Sequence, residues 1–217
     1  MLFDLVLALT GWNETRLAMA KIPYRTTTVT ALDHAGYYPG ATPITLKTTY
    51  CPDTGRIFGA QAVGTHGVDK RIDVMAMAIQ GKMTLEDISL SQLTYSPPFG
   101  SARDVVNIAG LASRNEKAGL VKSVDSLSPD RQVIDVRIPA DHDAEPLDPS
   151  IPYIKFDDIP DAIKAGRFDK SKKYTTLCNW GKTAYFAARN MQQAGFDVDK
   201  LNGGRVMQKA RDSLKTQ

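Results

Sequence analysis

The sequence has few of the residues that build metal centres and disulfide frameworks, because its 217 residues include only three histidines and two cysteines. Cys51 and Cys178 lie far apart in sequence and cannot form a disulfide framework, so a reducing, cytoplasmic setting is expected. The histidines are scattered and show no metal-ligand spacing. These shortages argue against disulfide-stabilised secreted domains and zinc modules, and no metal is predicted.

Long apolar runs and a strong excess of one charge are also missing. Apolar residues make up 42% of the chain, but no run of them is long enough to cross a bilayer. The apolar segment 2–9 is interrupted by Asp4 and has no basic region before it, so a buried strand is favoured over a signal peptide. The net charge of +3 is too weak to indicate nucleic acid. We therefore predict neither a membrane nor a nucleic-acid partner.

The sequence also lacks a nucleotide-cofactor motif: no Gly-x-Gly-x-x-Gly segment follows a predicted strand. In dinucleotide-binding domains that segment places the pyrophosphate at a helix N-terminus. We therefore expect this chain alone to bind neither FAD nor NAD(P)H, and not to reduce disulfides with NADH.

In residues 1–113 the strand-like and helix-like segments are largely segregated along the chain. Strands are predicted at 2–9, 24–30, 44–50 and 57–63, and helices at 14–20, from Val68 to a cap at Gly81, from Thr84 and at 101–113. The last two strands flank a turn that contains Pro and Gly, which predicts a hairpin. This arrangement indicates an α+β domain with an antiparallel sheet.

From about residue 120 onward, short strands and helices alternate. Strands are predicted at 133–136, 154–156, 174–177 and 198–201, and helices at 160–165, 183–194 and 206–214. Such alternation indicates an α/β domain with an at least partly parallel sheet. The charged stretch 114–122 is interpreted as a linker, which gives two domains, at 1–113 and 120–217.

The most informative short segment is Leu177–Ala184, which follows a predicted strand and precedes a predicted helix. A loop of this kind directs successive backbone N–H groups inward at the positive end of a helix dipole and so favours an anion. A thiolate of Cys178 at that position would suit nucleophilic attack on a sulfane sulfur or a phosphate ester. The alternative is that Cys178 is a small buried hydrophobic residue.

Three segments in order resemble the motifs of rhodanese-like domains: Asp135-Val136-Arg137, Cys178-Asn179-Trp180-Gly181-Lys182-Thr183, and Leu201-Asn202-Gly203-Gly204. The resemblance implies that Cys178 carries sulfur as a persulfide, which makes it the catalytic residue of a sulfurtransferase. It further implies that the amides of Asn179, Trp180, Gly181, Lys182 and Thr183 cradle the persulfide. Asp135 and Arg137 would support the site.

The chain departs from the rhodanese pattern at two places. The family commonly has Arg at the sixth loop position, where this chain has Thr183, for which Lys182 is a candidate replacement. The usual Gly-His-Ile-Pro-Gly-Ala segment is reduced to Ser150-Ile151-Pro152-Tyr153, without His. The bulky Trp180 favours a protein or coenzyme thiol over thiosulfate as the sulfur partner.

Residues 1–112 resemble the dimerisation domain of pyridine-nucleotide disulfide oxidoreductases, in the branch of coenzyme A-disulfide reductases and NADH oxidases. The segments that carry this resemblance are 34–41, 53–64, 68–74 and 95–104. It implies a homodimer in which Tyr38, with Tyr37 as the alternative, faces the coenzyme A site of the partner together with Tyr95. The other interpretation is that these tyrosines only pack the interface. Fusion of a rhodanese-like domain behind this one is known in the branch, so the two resemblances support each other.

Two functional hypotheses follow. In the first, the chain is the dimeric C-terminal portion of a flavoenzyme that reduces coenzyme A disulfide or persulfide, with Cys178 as its sulfur carrier for a small thiol or persulfide. FAD, NAD(P)H and coenzyme A then belong to the full-length family, whose redox cysteine and nucleotide-binding domains this chain lacks. In the second, the chain is a non-catalytic dimerisation module with a degenerate rhodanese domain, which pairs with itself, with a full-length homologue or with missing N-terminal domains.

Overall fold

The computed structural model describes residues 4–215, which divide into two compact units after Ala118. The first unit contains, in chain order, β1 (Val6–Gly11), α1 (Glu14–Met19), β2 (Arg25–Leu32), β3 (Pro43–Tyr50), β4 (Ile57–Gly64), α2 (Val68–Gln80), α3 (Leu85–Leu90) and α4 (Val105–Lys117). The second contains β5 (Lys122–Val124), β6 (Gln132–Asp135), α5 (Pro139–Ala144), α6 (Ile159–Lys164), β7 (Lys173–Leu177), α7 (Lys182–Gln193), β8 (Asp197–Leu201) and α8 (Gly204–Lys215).

The first unit is built on an antiparallel sheet with the strand order β1-β4-β3-β2. Helices α2 and α4 pack on it, and apolar side chains such as Ile44, Leu46 and Met75 are buried between them. The predicted hairpin is confirmed as β3 and β4, because the Cys51 and Gly55 amides close the turn between them. Of the predicted strand at 2–9, residues 2 and 3 lie outside the described residues.

Side-chain capping explains where helices α1, α3 and α4 of this unit begin. Asn13 accepts a hydrogen bond from the Arg16 amide at the start of α1, and Thr84 and Asp87 form a reciprocal capping box at α3, as predicted. Helix α4 begins at Val105 rather than at residue 101, because Asp104 caps it through the Val106 amide.

The second unit is built on a parallel sheet with the strand order β5-β8-β7-β6, with α6 and α7 packed into its apolar core. The predicted α/β architecture is confirmed at this level. The strand predicted at 154–156 is wrong: Tyr153 makes only an isolated bridge to Asp135, and Phe156–Asp158 form a 3-10 turn. Strand β5 and helix α5 were not predicted.

The linker predicted at 114–122 is largely absent. Helix α4 continues through Lys117, and the Arg114 guanidinium pairs with Glu86 of the same unit at 2.6 Å. Strand β5 begins at Lys122, so the connection between the two units is short. Among the described residues, no helix has both the length and the apolarity to cross a membrane.

Candidate functional site

Cys178 begins a tight loop, here called the cysteine loop (residues 178–183), that connects β7 to α7. The loop lies at the carboxyl end of a buried parallel strand, where α/β sheets commonly bind ligands. Gly181 precedes α7 with φ of 88°, a left-handed conformation that glycine adopts without steric cost. The Thr176 hydroxyl donates to the Ala184 carbonyl at 2.9 Å and so ties the first turn of the helix to the strand.

The Cys178 sulfur lies at the N-terminus of α7 and accepts two backbone hydrogen bonds. The Gly181 amide lies 3.1 Å from Sγ, and the Ala184 amide lies 3.3 Å from it. Two N–H donors at the positive end of a helix favour negative charge on the sulfur. The residue is 4% exposed, so the sulfur is largely shielded from water.

The loop residues proposed from sequence differ in their surroundings. Gly181 is buried and donates to the sulfur, Asn179 and Thr183 are half-buried, and Lys182 is exposed. Trp180 is 36% exposed and presents an apolar ring at the surface of the loop. The second amide donor to the sulfur is Ala184, one residue beyond the predicted set; its position in the first turn of α7 is the signal that could have identified it.

The outer side of the cysteine loop contacts the first turn of α8. The Arg205 amide donates to the Cys178 carbonyl at 2.9 Å, and the Val206 amide donates to the Asn179 carbonyl at 3.2 Å. Gly204 immediately precedes these two donors and has φ of 61°. The Gly-Gly segment identified in the sequence therefore packs directly against the loop that holds Cys178.

Asp135 and Arg137 form a buried ion pair at the end of β6, the strand next to β7. The guanidinium makes two parallel hydrogen bonds to the carboxylate, with Nε–Oδ1 at 2.9 Å and Nη2–Oδ2 at 2.8 Å. Arg137 also donates to the Asp141 carbonyl at 3.1 Å and to the Glu145 carbonyl at 2.9 Å. Burial raises the pKa of Asp135, but the hydrogen bonds from Arg137 and His142 outweigh it, so the pKa lies below its usual range.

His142 is a member of this cluster that sequence reasoning missed. Its Nδ1 lies 2.9 Å from Asp135 Oδ2, and its ring stacks on Tyr153 with centroids 3.7 Å apart. The segment 150–153 lacks the family's histidine, and here an imidazole from α5 contacts that segment instead. No pattern in the sequence predicts this contact, because α5 is a short, exposed helix without apolar periodicity.

In the first unit, the hydroxyl groups of Tyr37 and Tyr95 lie 2.7 Å apart. The resemblance placed Tyr38, with Tyr37 as the alternative, beside Tyr95 at a coenzyme A site across the dimer; within this unit it is Tyr37 that contacts Tyr95. The Ala35 amide donates to the Pro97 carbonyl at 3.4 Å, which links the two tyrosine-bearing loops. The hydrogen bond to Tyr95 raises the pKa of Tyr37. Both phenols are exposed on this unit.

Arg71 of α2 makes a buried ion pair that holds the loop beginning at Asp33. It is 3% exposed, and its Nη2 lies 2.7 Å from Asp104 Oδ2, in the residue that caps α4. Its remaining donors reach the carbonyls of Asp33 and Gly67. The charged pair is therefore structural, and it holds the loop that begins at Asp33 against α2 and α4.

Residues 4–215 contain no group of three His, Cys, Asp or Glu side chains that could hold a metal ion. The second cysteine, Cys51, is half-buried at the end of β3. Hydrogen bonds from Thr54 lower its pKa. Cys178 is the stronger candidate for thiol chemistry, because its sulfur accepts two amide hydrogen bonds at the start of α7.

Comparisons with known proteins show what the two units of this chain are similar to. Residues 1–105 match the family described as "Pyridine nucleotide-disulphide oxidoreductase, dimerisation domain". Coenzyme A disulfide reductase of Staphylococcus aureus (strain bovine RF122 / ET3-1) is 35% identical over 112 residues, which are 52% of this chain and 25% of that protein. This chain thus spans a quarter of that relative's length.

Two solved structures are similar over 95% of this chain. Reduced CoADR-RHD from Bacillus anthracis has 37% identity and a TM-score of 0.88, and the NAD-dependent persulfide reductase from A. fulgidus has 30% identity and a TM-score of 0.89. The match covers 38% of each of those chains. Residues 1–105 therefore form a pyridine nucleotide-disulphide oxidoreductase dimerisation domain, and the chain corresponds to the C-terminal part of a protein of the coenzyme A disulfide reductase type.

Proposed function

We propose that the second unit is a rhodanese-like sulfurtransferase domain in which Cys178 carries sulfur as a persulfide. The observation that carries the proposal is the pair of amides, from Gly181 and Ala184, that donate to Sγ. These donors stabilise the thiolate that attacks, and the same end of the α7 dipole stabilises the anionic persulfide that results.

The proposed reaction exchanges one sulfur atom between thiols. The Cys178 thiolate attacks the outer sulfur of a donor persulfide; the donor's S–S bond breaks, and its thiol leaves as a thiolate while a Cys178 persulfide forms. An acceptor thiolate then attacks the outer sulfur of that persulfide. The Cys178–sulfur bond breaks, the acceptor becomes a persulfide, and the Cys178 thiolate is regenerated. Each step exchanges one S–S bond for another, so no external oxidant or reductant is needed.

Several features of the loop support an organic thiol as the sulfur partner. Trp180 gives the loop an apolar surface, and Thr183 stands where the rhodanese family commonly has Arg. The Arg137 guanidinium is occupied by Asp135 and by two backbone carbonyls. Because that buried cation is already neutralised, it adds little binding free energy for a dianion such as thiosulfate. A thiol with an apolar body therefore binds here more favourably.

The test compares sulfur loading and transfer in the purified chain. Incubation with glutathione persulfide should add one sulfur atom to Cys178, detected by intact mass, and cyanide should release it as thiocyanate. Cys178→Ser should abolish both steps, whereas Cys51→Ser should leave them unchanged. Transfer at the wild-type rate in Cys178→Ser would eliminate the carrier role.

For the first unit, the proposal is that it forms a homodimer and presents the Tyr37–Tyr95 pair to coenzyme A of a partner. Its support is the 2.7 Å contact between two exposed phenols, each able to donate to or accept from a thiol or thiolate. Coenzyme A binding to a dimer that also carries the flavin and nicotinamide domains, measured by calorimetry, should weaken in Tyr95→Phe and Tyr37→Phe. Tyr38→Phe is the control, and equal affinity in all variants would reject the site.

The same proposal assigns FAD and NAD(P)H to domains outside this chain. The purified chain should then show no flavin absorbance, and it should not oxidise NADH in the presence of coenzyme A disulfide. Co-purified flavin at one equivalent would contradict this assignment.

A second candidate function is that of a non-catalytic assembly module. It is favoured by Leu5, Leu7 and Leu9, which are 49%, 56% and 61% exposed along the edge strand β1 and its approach. Exposed apolar stripes of this kind mark interfaces. A stable dimer whose Cys178 accepts no sulfur from any persulfide would select this candidate over the first.

A further inference from the structure

We propose that the first turn of α8, Gly204–Val206, is a positioning element that orients the Asn179 and Trp180 amides of the cysteine loop. This inference rests on the proposed sulfur-carrier role of Cys178, because it concerns the amides that would meet the outer sulfur of the persulfide. Gly181 and Ala184 already donate to the inner sulfur, which is Sγ of Cys178 itself.

The α8 turn supplies hydrogen-bond donors to the outer side of the loop. Arg205 donates to the Cys178 carbonyl at 2.9 Å, and Val206 donates to the Asn179 carbonyl at 3.2 Å. Amides in the first turn of a helix have no acceptor within their own helix. They are therefore available to bind the Cys178 and Asn179 carbonyls.

Peptide planarity converts this anchoring into orientation. In a trans peptide the carbonyl and the following N–H point in opposite directions, and the described chain has no cis peptide bond. Because α8 holds the Cys178 carbonyl, the Asn179 N–H points away from α8. For the same reason the Trp180 N–H points away when α8 holds the Asn179 carbonyl. Loss of either contact would free that peptide plane to rotate and withdraw its N–H.

Gly204 is required for this contact on two grounds. Its φ of 61° lies in the left-handed region that side chains disfavour. A Cβ at this position would lie 2.3 Å from the Cys178 carbonyl oxygen and 2.5 Å from the Asn179 carbonyl oxygen. These oxygens are the same two acceptors that α8 binds, so any side chain here would push α8 off the cysteine loop.

A matched pair of variants tests the proposal in the full chain. Gly204→Ala adds both backbone strain and crowding, whereas Gly166→Ala adds a similar strain, at φ of 67°, with nothing within 4 Å of its Cβ. In Gly204→Ala we expect sulfur transfer from the loaded persulfide to slow by up to about 100-fold, the lower end of the effect of losing an oxyanion-hole donor. The pH midpoint of alkylation of the loaded persulfide by iodoacetamide should rise, since its outer sulfur loses oriented amides. Gly166→Ala should match the wild type in both measurements.

A folded Gly204→Ala chain, verified by circular dichroism, with wild-type transfer and an unchanged alkylation midpoint would overturn the proposal. If Gly204→Ala does not fold, Arg205→Pro is compared with Arg205→Ala. Both remove the side chain that pairs with Glu145 at 3.1 Å, but only proline also removes the N–H that binds the Cys178 carbonyl. Proline is tolerated in the first turn of a helix. Slower transfer in Arg205→Pro than in Arg205→Ala supports the positioning role, and equal rates reject it.

The two proposals fail in different ways. A wild-type chain that accepts no sulfur rejects the carrier role of Cys178. A wild-type chain that transfers sulfur, but does so no faster than Gly204→Ala, rejects only the role of α8. The alkylation midpoints of the loaded persulfide compare the loop amides directly, without transfer to an acceptor.

Discussion

Asp135 illustrates at the scale of one residue how a buried charge is kept ionised. It has no exposed surface, yet Arg137 and His142 hold its pKa below the usual range against the effect of burial. In Asp135→Asn the Arg137 guanidinium loses its counter-charge, and we expect the free energy of unfolding at neutral pH to fall by about 3 kcal/mol. Urea titrations of the wild type and the variant measure the difference.

The pH dependence of that difference has a defined sign. Because the folded pKa of Asp135 is depressed, its stabilisation is present above the unfolded value of about 3.9 and is lost as the pH falls through the folded value. The deficit of Asp135→Asn should therefore shrink below that pH. Asp148→Asn is the comparison for burial, since it removes an exposed carboxylate whose pKa is lowered by Ser150 and not by a buried cation. A deficit that stays constant with pH would show that the charge of Asp135 is not its source.

The Tyr37–Tyr95 hydrogen bond leads to a second prediction, which concerns the pKa of Tyr37. The hydrogen bond from Tyr95 is the main cause of the raised pKa of Tyr37, so Tyr95→Phe should lower that pKa toward its ordinary value. A pH titration of the Tyr37 ring carbons by NMR measures the change. Tyr38→Phe should leave the Tyr37 titration as it is in the wild type, and a shift there would mean that Tyr38 also contacts the pair.

Individual contacts were the part of the site least predictable from sequence. Motif order pointed to Cys178 and to the Asp135–Arg137 pair because these residues lie at fixed offsets from strand ends. Whether Tyr37 or Tyr38 meets Tyr95 depends on the side to which each projects from an irregular loop, and no periodicity encodes that. The His142 contact depends on α5, whose sequence has no helical apolar face.

At the scale of elements, Gly110 lets α3 and α4 approach closely. A Cβ at Gly110 would lie 2.8 Å from the Leu85 carbonyl oxygen and from the Ser89 amide. Gly→Ala within a helix normally stabilises by about 1 kcal/mol. Here we expect Gly110→Ala to destabilise the first unit by about 1–3 kcal/mol, because the two helices must separate. Thermal unfolding followed by circular dichroism measures the effect.

Ala112→Gly in the same helix is the control for this sign reversal. Residue 112 is only partly buried, so helix propensity should dominate, and glycine should cost about 1 kcal/mol. The addition of a methyl group at Gly110 and the removal of one at Ala112 would then both destabilise α4. A stabilised Gly110→Ala variant would show that α3 can move away from α4 without loss of stability.

Elements with strong local signals were predicted well, and short ones were not. The caps at Asn13 and Thr84 and the turn between β3 and β4 are encoded within a few residues, and all three are confirmed. Strand β5 has three residues and depends on its parallel partner β8, so its pairing is set by tertiary contacts. The wrong strand at 154–156 has apolar residues without a continuous ladder, since only Tyr153 makes a bridge.

At the scale of the whole molecule, the apolar stripe on β1 bears on assembly. Val6 and Ala8 pack toward the core of the first unit, which leaves the alternate residues Leu7 and Leu9 exposed on the other face. The first unit is a dimerisation domain, and we expect this stripe to lie in the interface. Leu7→Glu should therefore shift the chain from dimer to monomer in analytical ultracentrifugation at micromolar concentration.

Met77→Glu is the matched control for that substitution. Met77 is 67% exposed on α2, on the side of the sheet where the helices lie, so the same charge should leave the dimer intact. Dissociation in Met77→Glu and not in Leu7→Glu would place the interface on the helical side instead.

The overall order of the two folds was predictable, because segregated and alternating patterns extend over about a hundred residues each. The boundary between them was not. Arg114 and Lys117 have a linker-like composition, but they continue α4, where basic residues in the last turn interact favourably with the helix dipole.

The partly exposed indole of Trp180 gives the cysteine loop an intrinsic optical reporter. The chain has two tryptophans, and the other, Trp12, belongs to the first unit. In a Trp12→Phe background, all indole emission would come from the loop that contains Cys178. Sulfur arriving at or leaving that cysteine could then be followed as a change in fluorescence in real time, without attaching a dye.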